Sequence, residues 1–155
     1  MPTLKPGSKV PAFSLSASGG GTWSLKDAAG KNLVIYFYPK DMTSGCTRES
    51  QDFRDLYKAF RKAATEVVGV SRDSVASHDK FAAKESLPFP LLADTDEKVC
   101  KLFDVIRQKS LYGRKYLGVD RSTFLIDGAG RLVQEWRGVK VPGHAEEVLE
   151  AAQRL

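Results

Sequence analysis

The stretch that decides the fold is Leu33-Val-Ile-Tyr-Phe-Tyr38, followed by Pro39-Lys-Asp-Met-Thr-Ser-Gly-Cys46. Its first part is a run of β-branched and aromatic residues stopped by a proline, which predicts a buried strand. The threonine and serine that follow are typical residues of a helix start, so we expect a helix from about Thr43 to Lys62. Cys46 is therefore predicted to lie in the first turn of a helix, at the carboxyl end of a central strand.

This position would favour the thiolate form of Cys46, which is the reactive form of a cysteine. The first amide groups of a helix have no partner within the helix, and together with the helix dipole they stabilise an anion. If Thr43 is the N-cap, Cys46 is the third residue of the first turn, where these amides point. Gly45 has no side chain that could crowd the sulfur. The local pattern indicates a nucleophilic thiol.

The rest of the chain predicts the support for this thiol. In order we expect an N-terminal arm at residues 1–11, a hairpin of residues 13–17 and 22–25, strand 33–38, helix 43–62, strand 66–70, helix 75–84, an extended segment 91–94, a helix from residue 94 or 95 to 106, a surface connection 107–120, strands 121–127 and 131–137 joined by a tight turn, and a helix from residue 143 or 144 to 155. Strands that alternate with helices favour an α/β thioredoxin-like fold, with a central mixed β-sheet, helices on both faces and an N-terminal hairpin.

Length and composition narrow the classes of protein. The 155 residues predict a single domain, 1–155, because this length can bury one core. The net charge of +5 comes from cations interspersed with acids, which favours a solvated surface over a nucleic-acid footprint. Two cysteines without a Cys-x-x-Cys motif predict neither a disulfide framework nor a zinc site. The N-terminus lacks an apolar segment and no apolar run reaches membrane-spanning length, so we expect an unexported, cytoplasmic protein.

The spacing Pro39-x-x-x-Thr43-x-x-Cys46 resembles the active-site signature of the peroxiredoxins. Further segments resemble the bacterioferritin comigratory protein group, or Q-type peroxiredoxins, over almost the whole chain: Tyr38-Pro-Lys-Asp41, Gly45-Cys-Thr47, Glu49, Gly69-Val-Ser-Arg-Asp-Ser74, Phe89-Pro-Leu91, Phe103-Asp-Val105, Arg121-Ser-Thr-Phe124 and Gly143-His144. The resemblance implies a thioredoxin-like fold and thiol-dependent reduction of hydrogen peroxide and organic hydroperoxides. We expect no cofactor and no metal, and a monomer, as is common in this group.

The resemblance also implies a role for each site residue. Cys46 would be the peroxidatic cysteine, whose thiolate attacks a peroxide oxygen and becomes a sulfenic acid. Thr43 would hydrogen-bond the thiolate and the peroxide, Pro39 would shield the pocket, and Arg121 would lie beside the sulfur. Fixed donors aimed at the leaving oxygen lower the barrier to O–O cleavage. Glu49 is a secondary candidate, as a capping acid or a group that orients an arginine.

Recycling is the open question of the sequence. The group usually carries a resolving cysteine at the position of Gln51 or in the next helix, at the position of Ala82, and neither is a cysteine here. An external thiol of thioredoxin, glutaredoxin or glutathione could reduce the sulfenic acid directly. Alternatively, Cys100 could resolve Cys46 after local unfolding, although a small buried hydrophobic role is the simpler interpretation of Cys100. Ala82 could also be an engineered replacement.

Two other functions compete with the peroxidase. A thiol-disulfide oxidoreductase on the same fold would need a second nearby cysteine, whereas Cys46 is followed by Thr-Arg-Glu. A non-enzymatic basic module, chaperone-like or nucleic-acid-binding, would use the positive net charge instead of the thiol. His144 is expected to be a capping or surface residue, because nothing pairs it with Cys46 as a Cys-His hydrolase requires.

Overall fold

The computed structural model describes residues 4–155. In chain order the elements are strands β1 (Ser14–Ala17) and β2 (Thr22–Ser24), a 3₁₀ turn (Leu25–Ala28), strand β3 (Asn32–Phe37), helix α1 (Ser44–Lys62), strand β4 (Thr65–Ser71), helix α2 (Val75–Glu85), strand β5 (Leu91–Ala93), helix α3 (Lys98–Leu102), strands β6 (Ile106–Leu111), β7 (Arg114–Val119), β8 (Ser122–Ile126) and β9 (Leu132–Trp136), and helix α4 (His144–Gln153). Within these residues, seven strands form one sheet in the order β2-β1-β5-β4-β3-β8-β9, and β6 and β7 form a separate ribbon.

Strand β3 lies at the centre of the larger sheet and is buried along almost its whole length. It pairs parallel with β4 and antiparallel with β8, while β4 pairs parallel with β5. Strands β1 and β2 pair antiparallel as the N-terminal hairpin. The thioredoxin-like α/β fold with a central mixed sheet is therefore confirmed.

The sheet separates two apolar clusters, because successive residues of a strand point to opposite faces. Ile35 belongs to the cluster that helix α3 covers. Tyr36 belongs to the other cluster, which is built with residues of α1, α2 and α4. Helices thus flank both faces, as predicted. The two cysteines are on opposite sides, since Cys46 lies in the second cluster and Cys100 in the first.

Two predictions for the segment after β5 are wrong. The helix expected to reach residue 106 ends at Leu102, because Asp104 adopts a left-handed conformation and the amide of Val105 bonds back to the carbonyl of Cys100. Residues 107–120, expected to be a surface connection, form most of the antiparallel β6-β7 hairpin. The spacing of the apolar residues Val99 and Ile106 matches a helical period, although Asp104 ends the helix between them.

The N-terminal arm is irregular where it is described, as predicted, and its residues 1–3 lie outside the described residues. Gly7 donates its amide to the carbonyl of Leu132, and Val10 donates to that of Gly130, so the arm crosses the end of the β8-β9 hairpin. In residues 4–155 there is no helix that is both long enough and apolar enough to span a bilayer.

Candidate active site

Cys46 lies where the sequence predicts, just after the junction between β3 and α1. Thr43 has extended backbone angles and is the N-cap, and the first bond of the helix runs from the Thr47 amide to the Thr43 carbonyl. Cys46 is thus the third helical residue, among the amides that precede this bond. Its side chain is only 1% exposed. The sulfur therefore occupies a dry position at the positive end of a helix of 19 residues.

Arg121 connects the sulfur to a buried carboxylate. It immediately precedes β8, and the amide of Val139 donates to its carbonyl, which fixes the backbone. Its Nη2 atom lies 3.3 Å from the Cys46 sulfur, and its Nη1 atom donates to Oε1 of Glu49 at 2.6 Å. The structure thus brings together Cys46, Arg121 and Glu49, three residues that the sequence singled out.

The charges of this triad are coupled. Burial raises the pKa of Glu49 to about 7, against the opposing pull of Arg121. Burial disfavours the charged form of Arg121, but the neighbouring Glu49 and Cys46 outweigh it and raise the pKa of the guanidinium. Oε2 of Glu49 is the one buried side-chain polar atom in residues 4–155 that has no hydrogen-bond partner. Arg121 is therefore a permanent cation beside a carboxylate that gains a proton near neutral pH.

The Thr43 hydroxyl donates to the carbonyl of Lys40 at 2.9 Å, and it makes no capping bond to the helix. Its oxygen keeps its lone pairs, which can accept a hydrogen bond from a substrate hydroxyl. Pro39 is half-buried in the loop between β3 and this threonine. The N-cap position of Thr43 is thus confirmed, while its contact with substrate stays a prediction.

Gly45 lies under the guanidinium of Arg121. A Cβ atom at this position would be 3.2 Å from Nη2 of Arg121, closer than most real contacts of such an atom. Gly45 is predicted to leave space around the sulfur, and its missing side chain also leaves space for the Arg121 guanidinium.

A buried network that sequence reasoning missed holds the loop before Cys46. Asp41 accepts hydrogen bonds from the Tyr38 hydroxyl at 2.6 Å and the Ser77 hydroxyl at 2.8 Å, and it contacts Nδ1 of His78 at 2.7 Å. Burial disfavours the charged form of Asp41, but the bonds from His78 and Tyr38 outweigh it, so its pKa is lowered. Nε2 of His78 faces the carbonyl of Leu92 at 3.0 Å. Both ring nitrogens of this histidine thus face oxygen atoms, and the ring ties α2 to the active-site loop.

The same network contains a group of potential metal ligands. One ligand atom each from Asp41, Asp73 and His78 lies within 4.8 Å of the others. Asp73 accepts from the Asp41 amide at 2.9 Å and from the Ser71 hydroxyl at 2.6 Å. These internal hydrogen bonds occupy the acceptors, so the arrangement serves as a brace between the loop and α2.

The prediction for His144 is wrong. It is 7% exposed, so it is not a surface residue, and Gly143 is the N-cap of α4. Its Nε2 atom lies 2.8 Å from the hydroxyl of Thr123, and its ring packs edge-on against Phe53 and Trp136. Burial lowers the pKa of His144 to about 4. A neutral histidine thus pins α4 to β8 and α1.

The three positions that bear on recycling, Gln51, Ala82 and Cys100, lie in three different helices. Gln51 donates to a carboxylate oxygen of Glu85 at 2.7 Å, which links α1 to α2. Ala82, in α2, packs against the cluster that contains Cys46. Cys100 is fully buried on the opposite face of the sheet, where burial and Asp94 raise the pKa of its thiol. The described fold therefore separates Cys100 from Cys46 by the sheet itself.

An apolar cavity of about 270 Å³ lies away from this chemistry. It is lined by Leu33 at the start of β3 and by residues such as Val10 and Ile126, whereas Cys46 follows the other end of β3. The cavity and the thiol are thus at opposite ends of the central strand.

Comparisons with known proteins agree with this geometry. The AhpC/TSA family model matches residues 6–135. Peroxiredoxin Bcp of Xanthomonas campestris pv. campestris is 56% identical over 137 residues, which cover 88% of this chain and 86% of that protein. Peroxiredoxin Bcp of Bacillus subtilis is 48% identical over 153 residues, or 99% of this chain and 98% of the relative.

A solved structure is also similar. It is the bacterioferritin comigratory protein of Xanthomonas campestris, described as trapped intermediate and ligand complexes that bear on its alkyl peroxide reduction activity. The TM-score is 0.88 at 53% identity, over 92% of this chain and 90% of that one. The chain therefore belongs to the AhpC/TSA family, as a peroxiredoxin of the bacterioferritin comigratory protein, or Q-type, group.

Proposed function

We propose that this protein is a thiol-dependent peroxidase that reduces hydrogen peroxide and organic hydroperoxides through Cys46. One observation carries the proposal: the Cys46 sulfur lies at the start of α1 with the Arg121 guanidinium 3.3 Å away. Both features stabilise a thiolate, and a permanently charged donor is aimed at the place where negative charge develops. The alkyl peroxide reduction described for the Xanthomonas relative supports the organic substrates.

The reaction follows from these contacts. The Cys46 thiolate attacks one peroxide oxygen and the O–O bond breaks, so the sulfur is oxidised to a sulfenic acid. The other oxygen leaves with the electron pair, takes a proton and departs as water or an alcohol. Arg121 stabilises the charge on the leaving oxygen, while the Thr43 oxygen accepts the hydroxyl of the bound peroxide. Glu49 holds Arg121 in place through the bond of 2.6 Å.

Recycling uses one cysteine of this chain. Cys100 is buried across the sheet from Cys46, and its thiol is kept protonated, so it makes a poor resolving nucleophile. An external thiol therefore attacks the sulfenic sulfur, which releases water and leaves a mixed disulfide. A second external thiol breaks this disulfide and regenerates Cys46. Thioredoxin, glutaredoxin and glutathione can supply these thiols.

We also infer that the protein works as a monomer in the cytoplasm. All members of the site, Cys46, Arg121, Glu49 and Thr43, come from one chain, so catalysis needs no second copy. A cycle that depends on external thiols also requires a reducing compartment, which the cytoplasm provides.

Peroxide consumption tests the proposal. With excess dithiothreitol, the purified protein should remove hydrogen peroxide catalytically, and Cys46→Ser should abolish this activity. Cys100→Ala serves as the matched control, because it removes the other thiol without touching the site. Equal rates for the wild type and Cys46→Ser would refute the enzymatic function.

Thiol mapping tests the recycling route separately. After one equivalent of peroxide, mass spectrometry should find sulfenic or sulfinic acid at Cys46 and a free thiol at Cys100. A disulfide between Cys46 and Cys100 would instead show that the sheet opens during turnover, and the one-cysteine cycle would be wrong.

A further inference from the structure

The β6-β7 hairpin, residues 106–119, has an unusual surface. It contains four cations and no acidic residue: Arg107, Lys109, Arg114 and Lys115. Residues 4–155 expose six large hydrophobic side chains, and four of them are on this hairpin: Leu111, Tyr112, Tyr116 and Leu117. Leu111 and Tyr116 lie on one face of this ribbon with Arg114, and Leu117 lies on the other face with Lys115, because cross-strand partners share a face and successive residues alternate. Exposed apolar side chains among charges of one sign are typical of a surface that binds a partner of opposite charge.

The cations at the tip of the hairpin are available to a partner. Arg107 is paired with Asp104 at 2.8 Å, and Lys109 donates to the carbonyl of Val119 at 2.6 Å. Arg114 and Lys115, in contrast, are exposed and make no ion pair within residues 4–155. The tip therefore presents two uncompensated positive charges next to its apolar side chains.

Tyr112 occupies a strained position at this tip. Leu111 pairs with Arg114, so Tyr112 and Gly113 form a two-residue turn, and both have positive φ angles of 52° and 79°. Asparagine or glycine usually fills the first place of such a turn, and a tyrosine there costs about 1 kcal/mol. Tyr112 is 97% exposed, so contacts within the described chain do little to offset this cost. A strained, exposed aromatic side chain suggests a binding role.

The hairpin is physically joined to the active site. Strand β7 ends at Val119, only two residues before Arg121, whose guanidinium touches the Cys46 sulfur. Burial lowers the pKa of Lys109. The charge of Arg121 also lowers this pKa, whereas that of Cys46 raises it, so the lysine lies within range of both active-site groups. The loop that precedes Cys46 exposes another apolar side chain, Met42. The base of the hairpin thus adjoins the active site, and the tip extends from it by the length of β7.

We propose that the β6-β7 hairpin is the docking surface for the reductant of Cys46, and that this reductant is an acidic dithiol protein. The inference rests on the proposed function, because it requires an external thiol to reach the oxidised Cys46. Glutathione is too small to cover Leu111, Tyr112 and Tyr116 together. A nucleic acid would complement the charge but would bring no thiol. An acidic protein with an exposed apolar rim around its dithiol fits the charge, the apolar surface and the chemistry together.

The docked protein completes a balanced reaction. One of its thiolates attacks the sulfenic sulfur of Cys46, an S–S bond forms, and the hydroxyl leaves as water after taking a proton. Its second thiolate attacks its own sulfur in this mixed disulfide and releases Cys46 as a thiolate. Two electrons pass from the dithiol to the sulfenic acid, and the reductant leaves as its internal disulfide.

Steady-state kinetics with an acidic thioredoxin, recycled by NADPH and thioredoxin reductase, test the surface. Two variants alter it: the double substitution Arg114→Glu with Lys115→Glu reverses its charge, and Tyr112→Asn removes the aromatic ring while favouring the turn. Each should raise the KM for thioredoxin about tenfold. The KM of the wild type should rise with salt concentration, and the double variant should lose this increase. Lys58→Glu, an exposed site about 18 Å farther along α1 than Cys46, is the matched control and should behave as the wild type.

Dithiothreitol separates this inference from the proposed function. All hairpin variants should consume hydrogen peroxide with dithiothreitol at the rate of the wild type, because a small reductant needs no docking surface. If the wild type itself is inactive with dithiothreitol, the proposed function fails. If dithiothreitol supports turnover but the thioredoxin kinetics of both variants equal those of the wild type, the docking surface is wrong. The docking surface is also wrong if the variants lose activity equally with both reductants. It is wrong as well if the wild type retards DNA in a gel and the variants differ from it only in losing this retardation.

Discussion

The Nη2 atom of Arg121 lies 3.3 Å from the sulfur of Cys46, although the two residues are 75 positions apart in the chain. The contact depends on the antiparallel pairing of β3 with β8, which brings the start of β8 beside the end of β3. Helix α1 then carries Cys46 and Glu49 on the same buried side, one turn apart. The central sheet thus places the cation that a reactive thiol needs.

Removal of this cation should slow the reaction with peroxide much more than it changes the fold. Arg121→Met keeps an apolar stem but removes the donor to the sulfur, so we expect the second-order rate constant with hydrogen peroxide to fall about 100-fold. Rapid-mixing kinetics of the reduced protein measure this constant without any reductant. Arg154→Met, at an exposed arginine near the C-terminus, is the control and should not change the rate. A rate within about twofold of the wild type would show that Arg121 is only structural.

Gly45→Ala should separate activity from stability. The added methyl group would sit 3.2 Å from Nη2 of Arg121 and push the guanidinium by a few tenths of an ångström, so we expect about a tenfold slower reaction with hydrogen peroxide. Alanine is the better helix former, so the free energy of unfolding should stay equal or rise by up to about 1 kcal/mol. Ser44→Ala is the matched control, because it alters the exposed neighbouring position of the same helix turn. Loss of stability in Gly45→Ala would contradict this account.

Glu49→Gln should change how stability depends on pH. Burial raises the pKa of Glu49 from 4.5 to about 7, so the folded protein holds this proton more tightly than the unfolded chain does. The resulting stabilisation is complete below pH 4.5 and is lost as the pH rises through 7. It amounts to about 3 kcal/mol, because one pKa unit corresponds to about 1.4 kcal/mol.

Urea unfolding at about pH 5 and about pH 8, on either side of the raised pKa, measures this effect. The glutamine side chain of the variant is uncharged and cannot titrate. Between the lower and the higher pH, the wild type should therefore lose more free energy of unfolding than the variant does. A difference between the two proteins that is the same at both pH values would show that the ion pair with Arg121 keeps Glu49 charged throughout.

Local patterns predicted much of this structure. The apolar run of β3 stopped by Pro39 and the N-cap at Thr43 fixed the position of Cys46, because both depend on neighbouring residues. The β6-β7 hairpin was missed for two reasons. The spacing of Val99 and Ile106 matches a helical period, and the turn at Tyr112-Gly113 has a tyrosine where asparagine, aspartate or glycine is usual. The brace between Asp41 and His78 was missed as well, because hydrogen bonds across 37 residues leave no local signal. Contacts of this range require the tertiary fold.

Ala82→Cys should convert the recycling route. Ala82 packs against the apolar cluster that contains Cys46, and α2 is joined to α1 by the bond between Gln51 and Glu85. A thiol at this position is on the same side of the sheet as Cys46, so local unfolding of the first turn of α1 can bring the two sulfurs together. One equivalent of peroxide should then produce an intramolecular disulfide, seen by mass spectrometry as the loss of two hydrogens. Excess peroxide should yield less sulfinic acid than in the wild type, because the disulfide protects the sulfur.

Ala129→Cys provides the control, since this exposed turn lies at the other end of the sheet and should form no disulfide within the chain. If Ala82→Cys gives sulfinic acid at Cys46 and a free introduced thiol, α1 does not open on the time scale of overoxidation. The chain would then lack the local opening that a disulfide requires, and Ala82 alone would not account for the proposed use of an external thiol.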